Sequence, residues 1–232
     1  MKKILLFLLL TVTSVYAQDV NPDVMIQKVK NNFLKVKDYI VDAHIKVNVD
    51  FLKVPETDAK IYFKQPDKVK MTSPQFALVP KEGLNFSPLS FFNIKYSAVL
   101  IKKESLWGFN TAVIKVVPLE ESQDVILTTL WIDSDYFIIR KAEVTTKSKG
   151  TYGLQLNYDV GKTKYFVPVS MTFLFDIKAD NFPNKFGNSK EEKAQKKNKF
   201  KGTAEIKYSN YIINKGISDN IFKEDKKKKN DK

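Results

Sequence analysis

A chain of 232 residues with 43% hydrophobic content is long enough for one large domain with an extension and too apolar for a disordered chain. It contains no cysteine, which excludes a disulfide framework, thiol chemistry and lipid anchoring through a cysteine. The formal net charge is +13, yet Arg140 is the only arginine and many lysines fall in residues 190–201 and 223–232, so the two-pronged readout of nucleic acid is not indicated; the favoured reading is a generally lysine-rich chain with solvated tails, and the alternative is a weak attraction to anionic membrane surfaces.

Met1–Lys3 carries two lysines, Ile4–Val12 is apolar apart from Thr11, and Val15-Tyr16-Ala17 precedes Gln18. This is the layout of a secretory signal peptide (1–17), too short for the roughly 20 residues of a membrane-spanning helix. The expected mature chain is soluble and periplasmic, with one domain over 18–222, a charged insertion over 180–201 and a disordered basic tail over 223–232. A helix is predicted next: Asn21 can cap, Pro22 suits the first turn, Asp23 suits the dipole, and Met25, Val29, Phe33 and Val36 recur at helical spacing through about Lys37.

The rest reads as β. Residues 41–51, VDAHIKVNVDF, put Val41, Ala43, Ile45, Val47, Val49 and Phe51 on one face and Asp42, His44, Lys46, Asn48 and Asp50 on the other. Ala59, Ile61 and Phe63 repeat the alternation; after the Pro66-Asp67 turn so do Val69 and Met71. Residues 81–93, KEGLNFSPLSFFN, break it: Phe86, Leu89, Phe91 and Phe92 are apolar without period, which suggests a short helix or an inward-tucked loop. Further strands are predicted over 94–103, 107–117, 124–133, 136–147, 151–160, 164–178 and 202–211. Val167, Val169, Met171, Phe173, Phe175 and Ile177 share one face in this reading, as do Ala204, Ile206 and Tyr208. Short turns such as Ser134-Asp135 favour an antiparallel meander. The predicted fold is therefore mainly β, with about ten or eleven strands and one helix. A helix of about 15 residues is roughly 22 Å long and cannot cover ten strands. The sheet must curl around it or leave apolar surface for a guest.

Catalytic and metal signals are weak. His44 is the only histidine and sits on a polar face, so it has no His or Cys partner for a metal; no nucleophile elbow, zinc-binding helix motif or phosphate-cradling glycine loop is present. Neither enzymatic activity nor a cofactor is expected. Trp107 and Trp131 could line an apolar pocket or be ordinary core, and Arg140 could pair with Asp133 or Asp135 or face a lipid headgroup.

The words YFKQPDKVKM (62–71), TLWIDSDYFIIRKAEV (129–144), YFVPVSMTF (165–173) and YSNYIINKGISDNIF (208–222) resemble, in order and spacing, the periplasmic outer-membrane lipoprotein carrier family, LolA, within the LolA–LolB–RseB superfamily. The resemblance implies an unclosed antiparallel half-barrel around helices that act as a lid, its concave face sheltering the acyl chains of a lipoprotein in transit between membranes. The implied partners are an inner-membrane lipoprotein-release transporter and an outer-membrane acceptor, with transient membrane contact by a monomer. Candidate cavity and lid residues are Val47, Val49, Phe51, Ile61, Phe63, Met71, Phe86, Leu89, Phe91, Phe92, Trp107, Trp131, Met171, Phe173 and Phe175, with Lys70 and Arg140 as polar rim residues. The carrier branch tends to have Arg where this chain has Lys70, which lacks the planar fork. Two alternatives are a lipid-responsive envelope-stress interaction module and a carrier of free phospholipid or glycolipid.

Overall fold

The Asn21 side chain opens helix α1 (Pro22–Leu34) by accepting from the backbone N–H groups of Asp23 and Val24 at 2.9 and 3.2 Å. The structure, a computed structural model, describes residues 21–49, 52–73, 94–120, 124–148, 150–178 and 199–223. The predicted leader, Phe51, the 81–93 segment with Phe86, Leu89, Phe91 and Phe92, most of the 180–201 insertion and the tail beyond Lys223 lie outside these residues. Met25, Ile26 and Val29 are the buried stripe of α1. The helix stops at Leu34, short of the predicted Lys37, because the chain turns into the sheet: the Lys37 amide donates to Asn214 Oδ1 at 2.7 Å rather than back into the helix.

Eleven strands follow: β1 (Asp38–Val49), β2 (Leu52–Lys53), β3 (Thr57–Lys64), β4 (Lys68–Thr72), β5 (Tyr96–Leu106), β6 (Phe109–Pro118), β7 (Val125–Asp133), β8 (Ile139–Thr146), β9 (Gly150–Tyr158), β10 (Pro168–Lys178) and β11 (Lys199–Ile213). They form one antiparallel sheet in the order β4-β3-β1-β11-β10-β9-β8-β7-β6-β5, with the short β2 beside β1. The sheet is a curved half-barrel that does not close, since β4 and β5 are its two edges.

The alternation read in 41–51 is the inner face of β1: Val41, Ala43, Ile45 and Val47 are all at most 6% exposed. Register carries that face across the sheet. Val47 pairs with Ala204, Ala204 with Phe173, Phe173 with Leu154, Leu154 with Ala142, Ala142 with Leu130 and Leu130 with Ile114, a buried row across seven strands. A parallel row runs Ile45–Ile206–Met171–Leu156. Two sequence readings are displaced. Residues 164–167 precede β10 instead of belonging to it, and a register shift between Pro168 and Ser170 takes Val169 off the inner face, leaving it 39% exposed. Trp107 is not a strand residue: it forms the β5–β6 turn with Gly108.

The outer face is polar over β1 and β3. Asp42 pairs with Lys60, and His44 places Nδ1 2.8 Å from Asp58 Oδ1 and Nε2 2.9 Å from Glu56 Oε2, with Lys46 also reaching Glu56 at 3.3 Å. The hydrogen bonds to Asp58 and Glu56 raise the pKa of His44 above its ordinary 6.5. Protonation is thus favoured by folding, so this contribution is complete below pH 6.5 and fades as pH rises through the raised folded value. Because His44 is the only histidine, an NMR titration reads it directly. Its midpoint is expected above 6.5 in the native chain and lower in Asp58→Asn.

A third row places Gly202 between Val49 and Phe175, where an added Cβ would meet the Phe175 ring at 2.3 Å. Phe175 stacks on Phe173 at 5.2 Å, so it has little room to yield. Gly202→Ala is expected to destabilise the fold by about 1–3 kcal/mol in urea unfolding, the usual cost of overpacking a dense core.

Candidate functional site

Helix α1 lies over one end of the concave face and is tied there by side chains at its last turn. Asn32 Nδ2 donates to the carbonyls of Tyr136 and Phe137 at 2.9 and 3.1 Å, and Gln65 Nε2 donates to those of Val36 and Phe33 at 2.7 and 3.3 Å. Beneath them is an apolar cavity of about 100 Å³. Val29, Phe33 and Val36 form its roof; Tyr39, Phe63, Val69, Ile139, Leu156, Tyr158, Pro168, Met171 and Tyr208 are its strand walls; Phe137, Phe166 and Val167 come from the connections at the same end.

Aromatic contacts hold the walls. Phe63 meets Phe33 edge-on at 5.9 Å and stacks on Tyr39 at 5.0 Å, and Tyr39 meets Tyr211 at 5.6 Å. Burial pushes the Tyr39 phenol up to about 12 and raises those of Tyr158, Tyr208 and Tyr211 as well. The cavity walls are therefore uncharged at neutral pH. They offer apolar surface and phenol oxygens, a surface suited to hydrocarbon and unsuited to an ion.

The expected residues divide by place. Phe63 and Met171 line the cavity. Val47, Ile61 and Phe173 lie deeper, at 6%, 4% and 1% exposure, in the core beneath the concave face; Val49, Met71 and Phe175 pack against that core. The two tryptophans lie elsewhere. Trp131 is on the outer face, where its Nε1 donates to Glu104 at 2.6 Å and Lys141 sits 4.1 Å from its ring; Trp107 is 49% exposed at the β5–β6 turn. Lys70 pairs with Tyr62 on the outer side of β4, its Nζ donating to the Lys223 carbonyl at 3.4 Å. Sequence reasoning missed Tyr39, Leu156, Tyr158 and Tyr208 as cavity walls. The inward phase of their strands was the available signal; which end of each strand the helix covers was not.

Arg140 is not at a rim. It is 1% exposed, and its Nε and Nη2 donate to Asp133 Oδ2 at 3.0 and 2.8 Å, while Phe109 stacks on the guanidinium at 3.6 Å. The other Asp133 oxygen accepts the amides of Asp135 and Tyr136 at 2.9 and 3.1 Å, so one carboxylate builds the β7–β8 turn and neutralises the arginine. Arg140→Met leaves Asp133 charged and buried, and is expected to lower the urea-unfolding free energy by about 3–5 kcal/mol.

Among the described residues no group of three His, Cys, Asp or Glu side chains is placed to hold a metal ion. No family model matches the sequence, and no curated protein does. Solved structures do match. A LolA superfamily protein from Nitrosomonas europaea is 14% identical, with a TM-score of 0.55 over 89% of this chain and 99% of that one. A DUF1329 family protein from Desulfovibrio piger is 12% identical, with a TM-score of 0.57 over 88% of this chain and 98% of that one. At such identities the likeness concerns architecture, and on it the chain has a LolA-like fold.

Proposed function

We propose that this protein is a periplasmic lipid carrier that shelters the acyl chains of lipoproteins between the inner and outer membranes. The observation that carries the reading is the uncharged, aromatic-walled cavity roofed by Val29, Phe33 and Val36 at the end of helix α1. At about 100 Å³ it is smaller than the engineered 150 Å³ cavity that admits one benzene. An acyl chain therefore enters only if α1 gives way, and the helix and the cargo compete for the same surface.

Magnitudes support a reversible exchange. A dozen buried methylenes stabilise by about 10 kcal/mol at roughly 0.8 kcal/mol each. Exposing Met25, Ile26 and Val29 costs about 1.5–3 kcal/mol apiece, or roughly 5–9 kcal/mol together. The difference is small enough for cargo to pass on to an acceptor. A closed barrel with no displaceable helix would keep the full gain of about 10 kcal/mol and release the same chain far less readily. In this reading the exporting transporter and the outer-membrane acceptor supply and remove the cargo, the protein works as a monomer, and no chemistry is performed on the lipid.

The 20 residues between Ser73 and Ile94, which include Phe86, Leu89, Phe91 and Phe92, lie in the chain between the two edge strands β4 and β5. We assign it the second part of the lid. Mass spectrometry of lipid co-purifying from a native periplasm is expected to find acylated lipoprotein with the wild type and none with a folded Phe92→Glu variant. Recovery of free phospholipid or glycolipid alone would change the cargo; wild-type loading of Phe92→Glu would remove the 74–93 segment from the lid.

A further inference from the structure

Trp107 occupies an expensive position. It forms, with Gly108, a two-residue hairpin turn in which both φ angles are positive, 52° and 85°. Such turns favour Asn-Gly; a bulky aromatic in the left-handed region is an outlier. Phe137, at φ 53° in the neighbouring turn, is compensated by packing into the cavity wall and by Lys28, 4.1 Å from its ring. Trp107 has no such return: it is 49% exposed, and among the described residues no ring stacks on it and its indole N–H bonds to nothing.

Its surroundings share the character. The strands that end or begin with β5, β6, β7, β8, β9 and β10 bring their connections to one end of the half-barrel, the end where the cavity lies. Neighbours there are linked directly: the Ser134 amide donates to the Asn110 carbonyl at 2.9 Å, Asn32 reaches the Tyr136 carbonyl, and the Tyr136 and Phe166 rings are 6.1 Å apart. On this end Leu34, Phe109 and Tyr136 are 41%, 36% and 40% exposed. Positive charge outnumbers negative there: Lys35, Lys37, Lys64, Lys68, Lys162, Lys164 and Lys215 stand against Asp67, Asp135, Asp159 and Asp219, while Asp38 and Asp133 are buried.

We infer that this end is a docking surface for an anionic phospholipid bilayer, with Trp107 as its interfacial anchor. An indole has an apolar body and one polar N–H, and suits the headgroup boundary; the lysines match anionic headgroups. Docked this way, the cavity opens toward the bilayer, so the inference rests on the carrier reading only for what passes through the mouth.

The test uses the chain from Gln18, the mature form that the proposed export implies. Vesicles of phosphatidylethanolamine with phosphatidylglycerol, some carrying brominated acyl chains, are compared with phosphatidylcholine vesicles. The wild type is expected to co-sediment with the anionic vesicles, less so at high salt, with its tryptophan emission quenched by bromine. Trp107→Asn creates an Asn-Gly turn, so it is expected to keep or raise the melting temperature. It should weaken vesicle affinity about tenfold or more, the scale of withdrawing one aromatic side chain from apolar contact. The variant retains Trp131, so the lost quenching belongs to Trp107. Undiminished binding by Trp107→Asn overturns the inference, as does a wild type that binds neither vesicle, which would leave a protein receptor as the occupant of this end. Uptake of a fluorescent fatty acid without vesicles is read in parallel and should be equal in both proteins. A wild type that docks but takes up no acyl probe would refute the carrier reading and leave the docking surface standing.

Discussion

An open sheet has more apolar surface than one helix can cover, and the rest of this structure follows from that mismatch. Ten strands in one path turn Val, Ile, Leu and Phe side chains toward a common concave face, and α1 contributes 13 residues, about 20 Å, to cover it. Where the rows are narrow, as at Val47–Ala204–Phe173–Leu154, the sheet's own curvature buries them. At the end where the strands meet α1, the fill is incomplete, and large aromatic rings wall the remaining space. Among the described residues, the cavity is thus a consequence of the sheet's curvature and of the length of α1.

Charge is arranged so as not to intrude on that space. The single arginine is the largest fully buried side chain, and it is matched by Asp133, whose second oxygen is committed to the backbone of its own turn. The other ion pairs of the described residues lie on the outside, where Asp42–Lys60 and the His44 contacts with Asp58 and Glu56 join β1 to its neighbouring strand β3 and the turn before it. Such exposed pairs are individually weak. They add register to the first strands without placing an ion near the hydrocarbon-like interior.

The fold was largely legible in the sequence because period-two alternation is a strong signal when one face is buried and the other wet. Val41 to Val47 and Ala204 to Tyr208 kept their faces in the structure. Alternation fails wherever the backbone slips by one residue: the irregularity at Pro168–Ser170 moved Val169 outward, a displacement that no pattern of side chains announces. Helix α1 was found by its cap, while its end was fixed by Asn214, a residue 177 positions away from Lys37. The cavity was only half legible. Phe63 and Met171 carry the right phase, but the tyrosine walls depend on which end of each strand the helix covers, and tryptophan's reputation as a pocket residue misplaced Trp107 and Trp131.

The last strand has a position whose significance is temporal. β11 lies between β1 and β10, so β4-β3-β1 and β10-to-β5 are two separate meanders until it joins them. Tyr39 and Ile213, its partner in the register, are far apart in the sequence. Contacts of that sequence separation are formed late and slowly. While it waits, β1 presents one unpaired edge with a fully apolar face, and β10 presents another. Folding therefore passes through a stage in which both halves can exist before the sheet does, and in that stage these two edges are the surfaces most open to pairing with another copy.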